Sequence, residues 1–467
     1  MVGGGVGGLA AALALSRAGH AVTVLERDPL PPPHDVEEAF AAERRGAPQV
    51  HQTHGFLARL VVELRARFPD VLEELLAMGC TTMPLTSRLG DPRPGDDDLA
   101  VLVVRRTTFE WILRRAVLAQ PGAEVRTGVG VSGLTGASRR DDGIPTVTGV
   151  VLDDGSIIDA AVVIAATGRR GPVPAWLGRL GAEIPETLHE SGLMYLSRWY
   201  RLPPGFLLPP DPKLAGDLGF VKYLGIPGDG GTLSVTLAVR VSDAELRGLL
   251  ADPENFDAAC RQLEGPSLFW AGEAPEPIGG VLPMGGLLNR IRRFVGPEGA
   301  PSVLGFHAVG DAHTCTNPLY GRGCSLSLVQ ALAVADAIAA HPGDPVARAL
   351  AYEAASAREV EPWFQLSVQM DAMGADPAGK HMSVAGADSE SARGIGAVFV
   401  AGATDPVLGR GLARMMNLLA TPADLLADPE FLARAMEVMA DPDRYPTPPV
   451  PGPTRDELIG ALRSVAA

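Results

Sequence analysis

The chain has 467 residues, 46% of them hydrophobic and 20% charged, enough for two or three packed domains. A formal net charge of −15 disfavours nucleic acid or an anionic membrane surface as partner, and no run of about 18 uncharged apolar residues predicts a membrane span. Cys80, Cys260, Cys315 and Cys324 form no C-x-x-C pair and no metal-ligand spacing with histidines, so buried thiols, no metal and a reducing cytoplasm are expected.

The chain opens "MVGGGVGGLAAALALSRAGHAVTVLERDP". Gly3, Gly5 and Gly8 form G-x-G-x-x-G, an apolar helix runs on to Gly19, and a strand "AVTVLE" ends on Glu26, eighteen residues after Gly8. The first glycine turns tightly, the second admits a pyrophosphate, and the third lets helix and strand pack closely. The pyrophosphate then lies on free N–H groups at the helix start, and Glu26 can accept from a ribose. Intact ribose hydroxyls, as in FAD or NAD, suit that carboxylate better than a 2′-phosphate.

Beyond Glu26, "RDPLPPPHDVEEAFAAE" reads as a Pro-rich, then acidic, linker. Residues 52–78 carry Phe56, Leu60, Leu64 and Phe68 at helical spacing, which predicts one helix. "LAVLVV" and "AEVRTG" read as strands flanking a helix that carries Arg106, and "TVTGVVLDDGSIIDAAVVIAATG" as a hairpin followed by a buried strand. "GLMYLSRWYRL" and "GTLSVTLAVRV" alternate as strands of a sheet with one face over a cavity.

A second nucleotide signal follows in "PSVLGFHAVGDAHTCTNPLYGRGCSLSLVQALAVADAIAAH". A strand ends at Asp311, a loop carries Pro318, Gly321 and Gly323, and a long helix begins near Ser325. Asp311 can accept from a ribityl hydroxyl, while the helix start offers partial positive charge to a reduced flavin.

These motifs resemble those of glutathione-reductase-type FAD enzymes, and within them single-component flavoprotein monooxygenases. "GDAHTCTNPLYGRG" resembles that family's second FAD motif, and "VRRTTFEWILRRAV" its R-x-x-x-E/D-x-x-L segment, in which Arg106 approaches the ribityl-phosphate region. "RRGAPQVHQTHGFLARLVVELRARFPDVLEELLAMG", "VVIAATGRRGPVPAWLGRLG" and "ESGLMYLSRWYRLPPG" resemble, more narrowly, flavin-dependent epoxidases and hydroxylases of polyketide pathways. The resemblance covers most of the chain to about residue 340.

It implies an α/β fold. A Rossmann-like FAD domain occupies 1–184 and returns at 291–344, a β-sheet substrate domain is inserted at 185–290, and a helical region fills 345–467. Cofactor binding falls to Gly3, Gly5, Gly8, Glu26, Arg27, Arg44, Gln49, Arg106, Asp311, Pro318, Gly321 and Gly323. His51 and His54 either orient flavin or substrate or cap the next helix. Tyr195 and Trp199, with Tyr200, either line the pocket or pack the sheet. The implied activity is oxygen insertion into a large apolar natural-product intermediate, by epoxidation or hydroxylation through a C4a-hydroperoxyflavin in a closed apolar pocket. Electrons come from NADPH or NADH, directly or through a partner flavin reductase, because Thr167-Gly168-Arg169 stands where the family's dual-purpose motif has Asp-Gly. A prenyl-chain reductase of the geranylgeranyl type and a non-catalytic flavin-binding protein are the competing readings.

Only Met1 and Val2 precede the glycine motif, so the first strand of the sheet is largely missing. Three or four buried β-branched residues there would contribute roughly 5–10 kcal/mol at about 1.5–3 each, comparable with a domain's whole net stability of about 5–15 kcal/mol. The natural polypeptide is therefore expected to start several residues upstream.

Overall fold

The computed structural model describes residues 1–467 except 32, 88, 138–142, 210–211, 375–389, 447 and 466–467. The apolar helix Val6–Arg17 is followed by a turn at Gly19 with φ +88° and by the strand Val22–Glu26. Val22–Glu26 pairs in parallel with Ala123–Thr127, and Val163–Ala165 pairs in parallel with Phe306–Ala308. Met1–Gly3 lies between these pairs and joins them into one sheet through parallel bridges from Val2 to Leu25 and to Ala165. Its main chain bonds both neighbours, with Gly3 N–H donating to Leu25 O and Val2 N–H to Ile164 O, each at 2.8 Å. Three residues thus hold the central place of the sheet. The arrangement is the α/β, Rossmann-like one that the glycine motif implied.

A second, five-stranded antiparallel sheet has the order Ala215–Asp217, Val221–Gly228, Thr232–Arg240, Leu193–Arg201, Glu276–Met284. Leu193–Arg201 and Thr232–Arg240 are buried on both faces. Leu196, Tyr200, Leu233, Val235, Leu237 and Val239 pack against the helices Ala244–Leu250 and Pro253–Gln262. Leu458, Ile459 and Leu462 of the Arg455–Val465 helix complete that core. The opposite face carries Tyr195, Ser197 and Trp199 across from Ala238, Thr236 and Ser234 and turns toward the chain at Gln52–Thr53.

Three expectations change. The helix foreseen over 52–78 is two helices, Ala58–Arg67 and Pro69–Ala77, preceded by an isolated bridge at Phe56. Pro69 lacks an N–H and forces Phe68 out of the helical region, to φ −138° and ψ 55°. The acidic half of the supposed linker folds as the helix Val36–Ala41, because Asp35 caps it by accepting from the N–H groups of Glu37 and Glu38. The Gly323–Ala340 helix is long and apolar enough to cross a membrane, with a mean hydropathy of 1.6 despite Asp336, but 72% of it is buried against the rest of the protein. It packs chiefly on Val6–Arg17, Ala58–Arg67 and Pro345–Glu359, as the central helix of the largest apolar core.

Candidate active site at the edge of the parallel sheet

Two adjoining clefts, of about 1030 and 1160 Å³, run along the carboxyl ends of the parallel strands and share Gly5, Gln49, Arg106, Ala166, Gly168 and Arg169. Gly8 makes the bend possible, since a Cβ there would sit 2.0 Å from Gly3 O. Gly3 has φ +107°, and its Cβ would meet Ala166 O at 2.4 Å. Gly5 differs, because nothing lies nearer to its Cβ position than Glu110 Oε1 at 3.6 Å. It leaves the helix start bare, with no side-chain cap. The Gly323–Ala340 helix likewise begins uncapped, at Arg322.

At one end of the site, Glu26 accepts from Gly4 N–H and Asp28 N–H, both at 2.9 Å, and from Arg44 Nη2 at 3.2 Å. Arg44 also reaches Asp28 at 3.2 Å and Glu110 at 2.6 Å. Glu110 then takes Arg106 Nε at 2.8 Å, and Arg106 Nη1 lies 3.0 Å from His54 Nε2. His54 Nδ1 is 2.8 Å from Gln52 O, which can only accept, so the proton is on Nδ1 and Nε2 accepts from Arg106. Burial first, and Arg106 second, hold the His54 pKa down to about 3. Against burial, Arg106 and Arg44 keep the Glu110 carboxyl below its ordinary range. A continuous row of charge therefore runs from the Glu26 end of the site to the Pro318 end.

At the far end, burial pushes the Asp311 carboxyl up, although Arg106, Arg169 and Arg290 oppose this. No hydrogen bond to that carboxylate exists among the described residues. The hydroxyls of Thr167 and Thr316, one in each cleft, are buried without partners. Two bare helix starts, two orphaned hydroxyls and a free carboxylate fit a long cofactor carrying phosphates and a polyol, and FAD has these groups in that order. Glu26 would take its ribose, the Val6–Arg17 helix start its pyrophosphate, Asp311 its ribityl chain, and the Pro318–Gly323 loop its ring.

The site residues read from the sequence are brought together as follows. Gly3, Glu26, Arg27 and Arg44 line the first end, Gly5, Gln49 and Arg106 both clefts, and Asp311, Pro318, Gly321 and Gly323 the far end. His54 and Tyr195 also face the far end. Gly8 lies behind the bend. Trp199 does not line the cleft; its indole donates to His51 O at 2.6 Å and packs edge-on against Phe40. Tyr200 faces the other side of its sheet and donates to Asp257 at 2.6 Å. Cys315 and Cys324 line the far end as buried thiols, and burial pushes Cys324 up to about 11.

The sheet face expected to form an apolar wall is polar instead. Thr53 bonds Ser234 and Thr236, and Ser197 donates to Gln52 Oε1 at 2.6 Å. The chain at Gln52–Thr53 is thereby tied onto the strands it faces. That pairing escaped sequence reading because Thr53 and Thr236 are 183 residues apart. Glu110 was legible in the R-x-x-x-E spacing, but Asn317 and Met284 gave no signal.

Residues 1–89 match the model of the family described as DAO, FAD dependent oxidoreductase. Protein Rv3254 of Mycobacterium tuberculosis is 30% identical over 361 residues, 71% of this chain and 70% of its own length. Menaquinone reductase of Mycolicibacterium smegmatis is 29% identical over 226 residues, 46% of this chain and 48% of its own. Among solved structures, the OxyS anhydrotetracycline hydroxylase of Streptomyces rimosus shares the fold, with a TM-score of 0.57 at 19% identity over 90% of this chain and 76% of its own.

Proposed function

Because the chain belongs to the FAD-dependent oxidoreductases, in one family with Protein Rv3254, we propose that it is a monooxygenase inserting one oxygen atom of O2 into a large, mainly apolar natural-product intermediate, by hydroxylation or epoxidation. FAD, once reduced, supplies the oxygen-activating chemistry. The protein's part is to bind, orient and exclude water. One observation carries the reading: the titratable side chains facing the far end, Asp311 apart, have their protons committed. Tyr195 O–H donates to Asn317 at 2.7 Å, His54 is held neutral against Gln52 O, and burial raises the Cys315 and Cys324 thiols. We assign Asp311 to the cofactor. Transfer of an electrophilic oxygen atom needs no acid from the protein, whereas reduction of a carbon–carbon double bond needs a proton donor beside the flavin.

Electrons come from NADPH or NADH, directly or through a flavin reductase. Arg169, in place of the family's Asp-Gly, is engaged elsewhere, donating to Gly286 O at 2.8 Å. A second reading, a reductase of a prenyl chain, is favoured by the menaquinone reductase relative.

The test loads the chain with FAD, reduces it with excess NADPH in the absence of oxygen, and divides the sample. Anhydrotetracycline with O2 is expected to gain one oxygen atom, detected by mass. Menaquinone gaining two hydrogens in its prenyl chain without O2, retained after the quinol is reoxidised to the quinone, would replace this reading with the second. Reduction that needs an added flavin reductase identifies the partner route.

A further inference from the structure

The Glu361–Gly374 helix, in the region that follows the return to the FAD domain, brings Asp371 to the loop that lines the far end of the cleft. Its Oδ1 accepts from Asn317 Nδ2 at 2.8 Å and from Tyr320 O–H at 2.6 Å, and its Oδ2 from Asn289 Nδ2 at 2.7 Å. Asn289 Oδ1 accepts from Asn317 N–H at 2.8 Å. Asn317 Oδ1 in turn accepts from Leu319 N–H at 3.2 Å and from Tyr195 O–H at 2.7 Å. Asn289 and Asn317 are fully buried, and Tyr195 nearly so.

The direction of every bond in this circuit is fixed by groups that cannot reverse. The carboxylate only accepts, and the backbone N–H groups of Asn317 and Leu319 only donate. Both amides are thereby locked, and the Tyr195 proton is committed to Asn317. The helix that carries Asp371 is itself anchored: Arg322 donates to Trp363 O at 3.2 Å and to Ser367 Oγ, and stacks on Tyr320 at 4.8 Å.

We propose that Asp371 is a positioning residue for the flavin end of the cleft: through Asn317 it sets the Thr316–Gly321 loop, which carries Pro318, and fixes Tyr195 on the facing sheet. It touches neither cofactor nor substrate and acts through Asn317. The proposal rests on the assignment of this cleft to FAD.

The change Asp371→Asn keeps the shape but turns one acceptor into a donor. Wherever the new amide points, at least one of the three incoming donors meets an N–H. If Asn289 flips to relieve this, its NH2 faces the Asn317 N–H.

Wild type, D371N, Y195F and the double variant are compared as full chains. The readouts are the FAD dissociation constant by flavin fluorescence, the visible band of bound FAD, and thermal unfolding without FAD. D371N is expected to weaken FAD binding by about tenfold, the scale of a hydrogen bond to a charged group, and to shift the visible band. Y195F should do less, and the double variant should be no worse than D371N alone, because both act through Asn317. A lower unfolding temperature with an unchanged FAD constant and band would make Asp371 merely structural and overturn the proposal. Additive losses in the double variant would overturn the route through Asn317. Should D371N not fold, Y195F, which breaks the Tyr195–Asn317 end of the same route, carries the test; an unchanged band and FAD constant in that variant would overturn the proposal. Wild type is read first: if it holds no FAD, the cofactor assignment falls and this proposal with it.

Discussion

Two helix starts at the cleft differ from four on the outside of the molecule. Outside, Asp252, Asp344, Asp405 and Asp428 each accept from the free N–H groups of the next turn, and each is followed by a proline at the first helical position. These helices satisfy themselves. At the cleft, Gly5 and Arg322 open two long apolar helices with no side-chain cap. The N–H groups left over there are obligatory donors, and an anion or polar oxygen is the partner that suits them. The same backbone geometry therefore serves stability in one place and binding in the other, and a single side chain decides which.

Three substitutions sharpen or break that contrast. Arg44→Met has the largest expected effect, because it removes the ion pairs of Glu26 and Asp28 and leaves Glu110 with Arg106 alone. A loss of about 3–5 kcal/mol is expected for an uncompensated, largely buried charge, measured by denaturant unfolding. A loss below about 1 kcal/mol, the scale of an exposed pair, would mean that the row of charge is effectively solvated. Gly5→Asp supplies the missing cap, and the extended backbone at residue 5 accepts a side chain without strain. FAD binding should fall about a hundredfold as a carboxylate takes the place of a phosphate, with the unfolding midpoint of the FAD-free chain kept. Undiminished FAD binding would remove the phosphate from that helix start. Asp428→Ala should cost about 1 kcal/mol and leave FAD binding unchanged; altered binding would join the outer helices to the site.

The legible parts of the site were those whose chemistry is written at fixed short spacing. The three glycines, Glu26, Arg106 and Asp311 each belong to a turn, strand end or helix start whose geometry is local. Trp199 stayed open between pocket and packing because alternation along a strand gives two faces but does not say what covers them. His51 O and Phe40 cover the face of Trp199. Asp371 left no trace in the sequence, since it lies 54 residues from Asn317 and sits in an ordinary helix. The break at Phe68–Pro69 was legible from the proline, but the apolar spacing on both sides of it matched a single helix equally well.

The Arg455–Val465 helix closes the core of the second sheet, and Arg455 pairs with Asp243 across 212 residues of sequence. A ribosome emits residue 240 long before residue 455. Until that helix emerges, Leu458, Ile459 and Leu462 are missing from that core, and the helices Ala244–Leu250 and Pro253–Gln262 lack the helix that packs on them. The nascent second sheet is therefore the stage most exposed to aggregation and to chaperones, and its maturation waits for residues 455–465 rather than for the completion of its own strands.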